Sequence, residues 1–372
     1  MTCLKRAIAL TVCLTWSINL FASDTASDSD YILPVDSNEL KIMSYNVQNL
    51  FDTDHDEDKN DYEFLPKEHP DKSKCDQVRN PSTCRSLDWS DEKVELKIQQ
   101  IVKAVNAQGV LPDILVLSEV ENSVVVEQLA DALGFDAFDI TTSPDERGID
   151  CAILYRKKKL TRVSYDEVEV SNLRSPTRNL SATTFKLSRS LGGGYLSVFA
   201  NHWPSQGNPV AARLQVAREL KGFVDDIRAR YSDEDHSVIL TGDFNVTDSD
   251  SPHPIDDVIL NRSWSAGMSD VRDFAKQNKS PMIPKMPQAT YYYGVDEVWN
   301  EFDRFFVNES LTDKQGLDVD PFSYRIHAPS ILSKKNDAGE SIPFRYSHKT
   351  VNPSYLGYSD HFAIVVKLKY LD

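Results

Sequence analysis

The sequence predicts an α/β fold in which one sheet packs on another with helices outside. Three observations lead there. Apolar runs of strand length alternate with longer segments whose apolar residues recur at helical spacing. Strand runs outnumber helices in the second half, which disfavours a simple doubly wound sheet. Of the 372 residues, 40% are hydrophobic, and neither Pro nor Gly is enriched, so a packed core is expected.

Taken in order, Leu40 to Val47 reads as a strand, followed by a polar insertion from Asp52 to Asp88. Ser90 suits a helix N-cap, with Asp91 and Glu92 in the first turn. Val94, Ile98, Ile101, Val102 and Val105 then mark one helical face that ends near Gly109. Asp113 to Glu119 is short and almost continuously apolar, the pattern of a strand buried on both faces. Val124 to Leu133 reads as a helix. Ile149 to Tyr155, Ala182 to Leu187 and Tyr195 to Asn201 read as strands, with Gly192, Gly193 and Gly194 turning the chain between the last two. Val210, Leu214, Ala217, Leu220, Val224 and Ile227 line a long helix. Ser237 to Leu240, Phe302 to Val307 and His361 to Leu368 complete the strands.

The N-terminus has the form of a secretory signal over residues 1–22. Lys5 and Arg6 precede the mostly apolar run Ala7 to Phe21, with small Ala22 and Ser23 after it. The run is short for a membrane span, so a secreted or periplasmic protein without stable membrane insertion is expected. Residues 23–38 are Ser- and Asp-rich and read as a flexible segment, leaving 39–372 as one domain. Cys3 and Cys13 fall in the signal, and Cys75 and Cys84 lie close enough in one polar loop to pair in an oxidising compartment. Cys151 sits in an apolar strand and reads as a small core residue. The formal net charge of −16 repels polyanions at long range, so a nucleic-acid substrate requires local basic groups or metal ions.

The informative feature is the placement of polar residues. Asn46 ends the first strand and Glu119 the second; Asn201 and His202 end another. Asp243 and Asn245 follow Val238 to Leu240, Asp303 interrupts an apolar run, and Asp360 and His361 open the last strand. Buried polar groups without partners are costly, so several strands carrying them at one end imply a shared site at the rim of the sheets. Carboxylates and amides are hard oxygen ligands, suited to Mg²⁺ or Mn²⁺. Two histidines beside acids supply proton carriers near neutral pH. No Cys/His cluster at zinc-like spacing, Gly-rich phosphate loop or Gly-x-Ser-x-Gly elbow occurs.

Ser44-Tyr-Asn46, Leu117-Ser-Glu119-Val, Asn201-His202-Trp, Thr241-Gly-Asp243-Phe-Asn245, Phe302-Asp303-Arg and Ser359-Asp360-His361 occur in the order of the endonuclease/exonuclease/phosphatase superfamily. The chain resembles that superfamily across 41–368. The resemblance implies a deoxyribonuclease I-like four-layer α/β sandwich, with two facing mixed sheets flanked by helices. It also implies a metal-dependent phosphodiester hydrolase. Glu119, Asn46 and Asp360 would hold the metal. His361, oriented by Asp303, and His202, paired with Asp150, would flank the phosphate. Asp243 and Asn245 would orient the attacking water, and Arg178 and Arg147 would clamp phosphate.

By this resemblance the expected activity is that of a monomeric nuclease without a protein partner. The alternatives are a phosphoesterase for a phospholipid head group or inositol phosphate, and a non-catalytic binding module. Asp52, Asp54, Asp56, Asp58 and Glu63 fall at EF-hand-like offsets, but Glu57 stands where that loop needs glycine. A disordered acidic loop is the expectation there, with a looser structural Ca²⁺ site as the alternative. Tyr291, Tyr292 and Tyr293 read as a half-core, half-surface run, with stacking on a base as the alternative.

Overall fold

The computed structural model describes residues 27–371 except 32, 34, 108 and 110, so the signal expected over 1–22 lies outside the described residues. The strands in chain order are β1 (Glu39–Leu50), β2 (Ile114–Val120), β3 (Ala137–Ile140), β4 (Asp150–Tyr155), β5 (Leu160–Val168), β6 (Leu180–Leu187), β7 (Tyr195–His202), β8 (His236–Asp243), β9 (Ser269–Asp270), β10 (Tyr291–Tyr293), β11 (Val298–Asn300), β12 (Asp303–Val307), β13 (Gly316–Val319), β14 (Arg325–His327), β15 (Ser333–Lys335), β16 (Ser341–Pro343) and β17 (Ala363–Leu371). The helices are α1 (Pro81–Ser86), α2 (Asp91–Asn106), α3 (Ser123–Leu133), α4 (Val210–Arg230) and α5 (Val271–Gln277).

One seven-stranded sheet runs β13-β17-β1-β2-β4-β3, with β14 also on β17; a six-stranded sheet runs β5-β6-β7-β8-β12-β9. The two face each other, β2 and β4 packing on β7 and β1 on β8. Side-chain alternation builds the layers. Leu196, Val198 and Ala200 of β7 enter the core between the sheets, together with Ile239 and Phe305. Phe199, Leu240 and Phe306 point the other way, onto Val216, Leu220 and Val224 of α4. On the far side α2 and α3 close the first sheet through Val94, Ile101, Val125 and Leu129. Helix, sheet, sheet, helix is the four-layer sandwich.

Three local expectations are corrected. Ser90 occupies the N-cap of α2 but makes no side-chain cap hydrogen bond. Within the segment expected to be free, Asp28–Tyr31 forms a short turn tied to the C-terminal half. Ser330 donates to Asp28, Arg325 donates to the Asp30 carbonyl, and the Tyr31 ring lies edge-on to His327 at 5.6 Å. The insertion after β1 is folded rather than disordered: Phe64 stacks on Phe51 at 4.1 Å and meets Trp89 edge-on at 5.7 Å. Cys75 and Cys84 are joined as a disulfide with a Cα–Cα distance of 5.6 Å.

His327 is fully buried on β14, and burial pushes its imidazole down to about 3, against a small opposing effect of the Ala104 carbonyl. Its neutral form is the folded form. The unfolded chain takes up the proton below its ordinary value of about 6.5. Stability is therefore fully present above that pH and is lost as pH falls toward 3, by roughly 1 kcal/mol per pH unit. Denaturant melts between pH 6.5 and 4 should show a shallower pH slope for His327→Gln than for the wild type. Equal slopes would remove His327 as a source of acid lability.

Candidate active site

Parallel pairing explains why the polar strand ends meet. β1 with β2 and β7 with β8 are parallel. Asn46, Glu119, His202 and Asp243 therefore all stand at carboxyl ends. β12 runs antiparallel to β8, and β17 to β1. Asp303 begins β12 and His361 lies two residues before β17, so both reach that same edge. The register sets Asp243 opposite both His202 and Asp303.

Local backbone irregularity then aims the side chains. β1 shifts register between Asn46 and Leu50, where Gln48 and Asn49 have φ of 55° and 62°. β2 shifts between Ser118 and Val120, with Glu119 at φ 65°. Such bulges release a residue from the ladder and re-aim it, and non-Gly residues in the left-handed region collect at functional sites. Asn245, at φ 50°, does the same after β8.

Asp243 is the hub. Its Oδ2 accepts from Asn46 Nδ2 at 3.0 Å and lies 3.8 Å from Nε2 of both His202 and His361. Its Oδ1 accepts the Asn245 amide at 2.9 Å. Asn46 Nδ2 also donates to Glu119 Oε1 at 3.2 Å, and His202 Nε2 lies 3.9 Å from that oxygen. His361 Nδ1 donates to Asp303 Oδ2 at 2.7 Å, as a carboxylate behind an imidazole should arrange it. The Asn245 side chain donates to the Trp203 carbonyl at 3.2 Å.

The two imidazoles are driven apart in charge. Burial opposes a proton on His361, but Asp303, Asp243 and Asp360 around it hold its pKa up to about 10. Burial, with Arg178, His361 and Arg147 adding to it, holds His202 well below 6.5. His202 is thus neutral and His361 cationic at pH 7. Burial raises Asp243, while the His361 charge pulls it back.

Two expected roles are corrected or recast. Asp150 does not orient His202: its Oδ1 accepts from Thr141 Oγ1 at 2.5 Å and from the Ser143 amide at 2.9 Å, while His202 Nδ1 is buried without a partner. The acid opening β4 serves the turn that precedes it. Arg178 donates Nε to the His202 carbonyl at 3.0 Å, Nη2 to the Trp203 carbonyl and Nη1 to Asp145. It pins the backbone under His202 instead of presenting a free guanidinium. Arg147 is exposed, and its Nη2 donates to Asn49 at 2.8 Å.

The donors fit a hard, hydrated cation. Glu119 and Asp360 keep 19% and 18% of their side chains exposed at the mouth, and Asn46 steadies Glu119 from behind. Mg²⁺ is usually held by one or two carboxylates plus water and substrate oxygens. Among the described residues no group of three or more His, Cys, Asp or Glu is disposed to hold a metal. That holds for the acidic insertion as well. There Asn122 Nδ2 donates to Asp52 at 2.9 Å and, at 3.4 Å each, to Asp56 and Glu121, while His55 pairs with Asp61. Tyr291 and Tyr292 are half-buried, Tyr291 packing on His361 at 4.8 Å, and Tyr293 is 42% exposed, so none of the three is a core residue.

Two residues escaped the sequence reading. Arg345 is 64% exposed and reaches Asp360 at 3.6 Å; nothing in an irregular loop marks it. Lys97 is completely buried on α2. A cue was available, since Val94, Lys97, Ile98 and Ile101 share one helical face.

A model of the Endonuclease/Exonuclease/phosphatase family matches residues 41–370. Solved structures share the fold at low identity. D. rerio TDP2 complexed with single strand DNA product is 18% identical over 90% of this chain and 100% of its own, with a TM-score of 0.51. The human Nocturnin catalytic domain with bound sulfate anion is 16% identical over 91% and 97%, with a TM-score of 0.53. A mannosyl-6-phosphatase from Bacteroides thetaiotaomicron is 16% identical over 90% and 100%, with a TM-score of 0.51. No curated protein matches.

Proposed function

The chain belongs to the endonuclease/exonuclease/phosphatase family, and from that premise we propose that it is an exported, divalent-metal-dependent phosphodiesterase that hydrolyses nucleic acid. One observation carries the chemistry. A buried carboxylate, Asp243, stands 3.8 Å from a neutral and from a cationic imidazole, beside the partly exposed Glu119.

Asp243 holds the attacking water and takes its proton, a role suited to a carboxyl raised by burial. The His361 cation, backed by Asp303, faces the negative charge that grows on the phosphoryl oxygens. Neutral His202 donates a hydrogen bond from Nε2. Arg147 reaches a phosphate from the open side. A cation held by Glu119, Asn46 and Asp360 supplies Lewis-acid stabilisation of the phosphate when bound.

The nucleic-acid reading is supported by exposed Arg147 and Arg345 at the mouth of an otherwise acidic molecule. The DNA product held by the TDP2 neighbour agrees with it. Export is supported by the signal-like 1–22 and by the disulfide, a bond of oxidising compartments; a mature N-terminus found upstream of Ser23 would count against it. No helix among the described residues is long and apolar enough to cross a membrane. A phosphomonoesterase is the second reading, favoured by the phosphatase neighbour.

The deciding experiment incubates purified protein and Mg²⁺ with supercoiled plasmid, a phosphorylated sugar and sphingomyelin in parallel. Plasmid nicking that EDTA abolishes is expected. Turnover of the sugar phosphate alone would move the assignment to the second reading.

A further inference from the structure

The segment that brings Asp360 and His361 to the site, residues 357–361, is irregular backbone, yet it is held from beneath by α2. Lys97 donates Nζ to the Tyr358 carbonyl at 3.1 Å, and Gln100, on the same side of the helix, donates to the Gly357 carbonyl at 2.8 Å. From the other side Ser359 Oγ donates to the Asn46 carbonyl at 2.6 Å and accepts the His361 amide at 3.1 Å. The Lys97 ammonium sits 3.9 Å over the Tyr346 ring, and Tyr346 is itself fixed by a two-way amide clasp with Gln48.

A buried lysine is expensive unless it is paired or serves a purpose. Among the described residues its hydrogen-bond acceptor is a neutral carbonyl. Among the described residues, the acids whose charge favours its protonated form are Asp360 and Glu119, the two carboxylates assigned above to the metal. No salt bridge joins it to either. Burial pulls the Lys97 ammonium down to about 7, against Asp360 and Glu119, which favour its charge; below that pH it acts through space as a positive charge behind two acids that face outward.

We propose that Lys97 is a positioning residue of the active site with two separable tasks: anchoring the Asp360–His361 segment through the Tyr358 carbonyl, and acting as the internal counter-ion of Glu119 and Asp360. The first sets the geometry on which turnover depends. The second places a positive charge behind the two carboxylates assigned to the metal, which weakens their hold on a divalent cation. The inference rests on the phosphoesterase reading of the site, but its charge arm does not need turnover to be tested.

Two variants separate the tasks. Lys97→Met removes both donor and charge; Lys97→Gln removes the charge and keeps an amide donor for Tyr358. Mn²⁺ binding would be followed at pH 6 by electron paramagnetic resonance, and kcat and KM measured with the substrate that the wild type turns over. Both variants should bind Mn²⁺ about 3- to 10-fold more tightly, because a like charge near the ligands is gone. Lys97→Met should lose about 10- to 100-fold in kcat with little change in KM, the usual cost of loosening support behind metal ligands. Lys97→Gln should recover most of that loss. Near-ultraviolet circular dichroism checks folding, and if the Met variant does not fold, the Mn²⁺ affinity of the Gln variant decides. Mn²⁺ affinity unchanged within two-fold, or weakened, overturns the counter-ion role. A folded Met variant with wild-type kcat overturns the anchoring role. A wild type that cleaves no phosphoester would sink the proposed function and leave the Mn²⁺ result standing.

Discussion

Asp243→Asn is expected to lower kcat by about 10³-fold or more while leaving the fold intact, within the range of a lost positioned proton transfer. The substitution keeps the shape of the side chain, and an amide oxygen can still accept from Asn46 or from the Asn245 amide. What it loses is the charge shared by His202 and His361 and the basic oxygen facing both Nε2 atoms. Stability should change little, since the burial penalty on the ionised form and its attraction to the His361 cation oppose each other, and His361 keeps Asp303. Single-turnover rates and a thermal melt together are the measurement. A rate within ten-fold of wild type would take Asp243 out of the chemistry. A fall in rate matched by a fall in melting temperature would reduce it to a structural acid.

The second large effect is on stability. Gly242 sits in β8 at φ +130°, a conformation L-residues rarely adopt. A Cβ there would lie 2.0 Å from the Asn201 carbonyl oxygen and 2.9 Å from its backbone nitrogen. These are backbone atoms of the paired strand β7, hydrogen-bonded in register, and have nowhere to move. Gly242→Ala should therefore cost about 4 kcal/mol or more, beyond the ordinary range of point mutations. Gly134, the αL cap of α3 at φ +67°, has nothing within 4 Å of its Cβ position. Gly134→Ala should cost only about 1 kcal/mol. Urea denaturation of both variants is the test, and equal losses would show that conformation alone, not close strand approach, demands glycine at 242.

Much of the fold was legible because burial imposes periodicity. β2, β4, β7 and β8 are covered on both faces, so they read as near-continuous apolar runs, and α2 and α4 read through their striped faces. β5 was invisible: Leu160–Val168 lies at the edge of its sheet and is mostly exposed or half-buried, so nothing apolar marks it. The short strands β11 and β15 went unread for the same reason, since their residues are exposed or half-buried.

The site was legible as a set of residue types and partly mistaken as a set of contacts. Asn46, Glu119, His202, Asp243 and His361 stood out because polar groups at the ends of apolar strands need a reason to be there. Asp150 had the same mark, yet its carboxylate turned to Thr141 and Ser143, two partners only nine and seven residues away. Local hydrogen bonds of that kind compete with distant pairings, and spacing along the chain does not say which wins.

By itself, the sequence determined which residues must be buried, which elements they form and which polar groups would be stranded at strand ends, because those follow from periodicity and desolvation. Only the tertiary structure decided which stranded groups satisfy one another. Lys97 shows the division: its place on an apolar face is written in the α2 repeat, but its partners Tyr346 and Tyr358 lie some 250 residues further on, brought beneath it by the pairing of β17 with β1. Charge and hydrogen bonding act through distance in space, and that distance exists only once the sheets have closed.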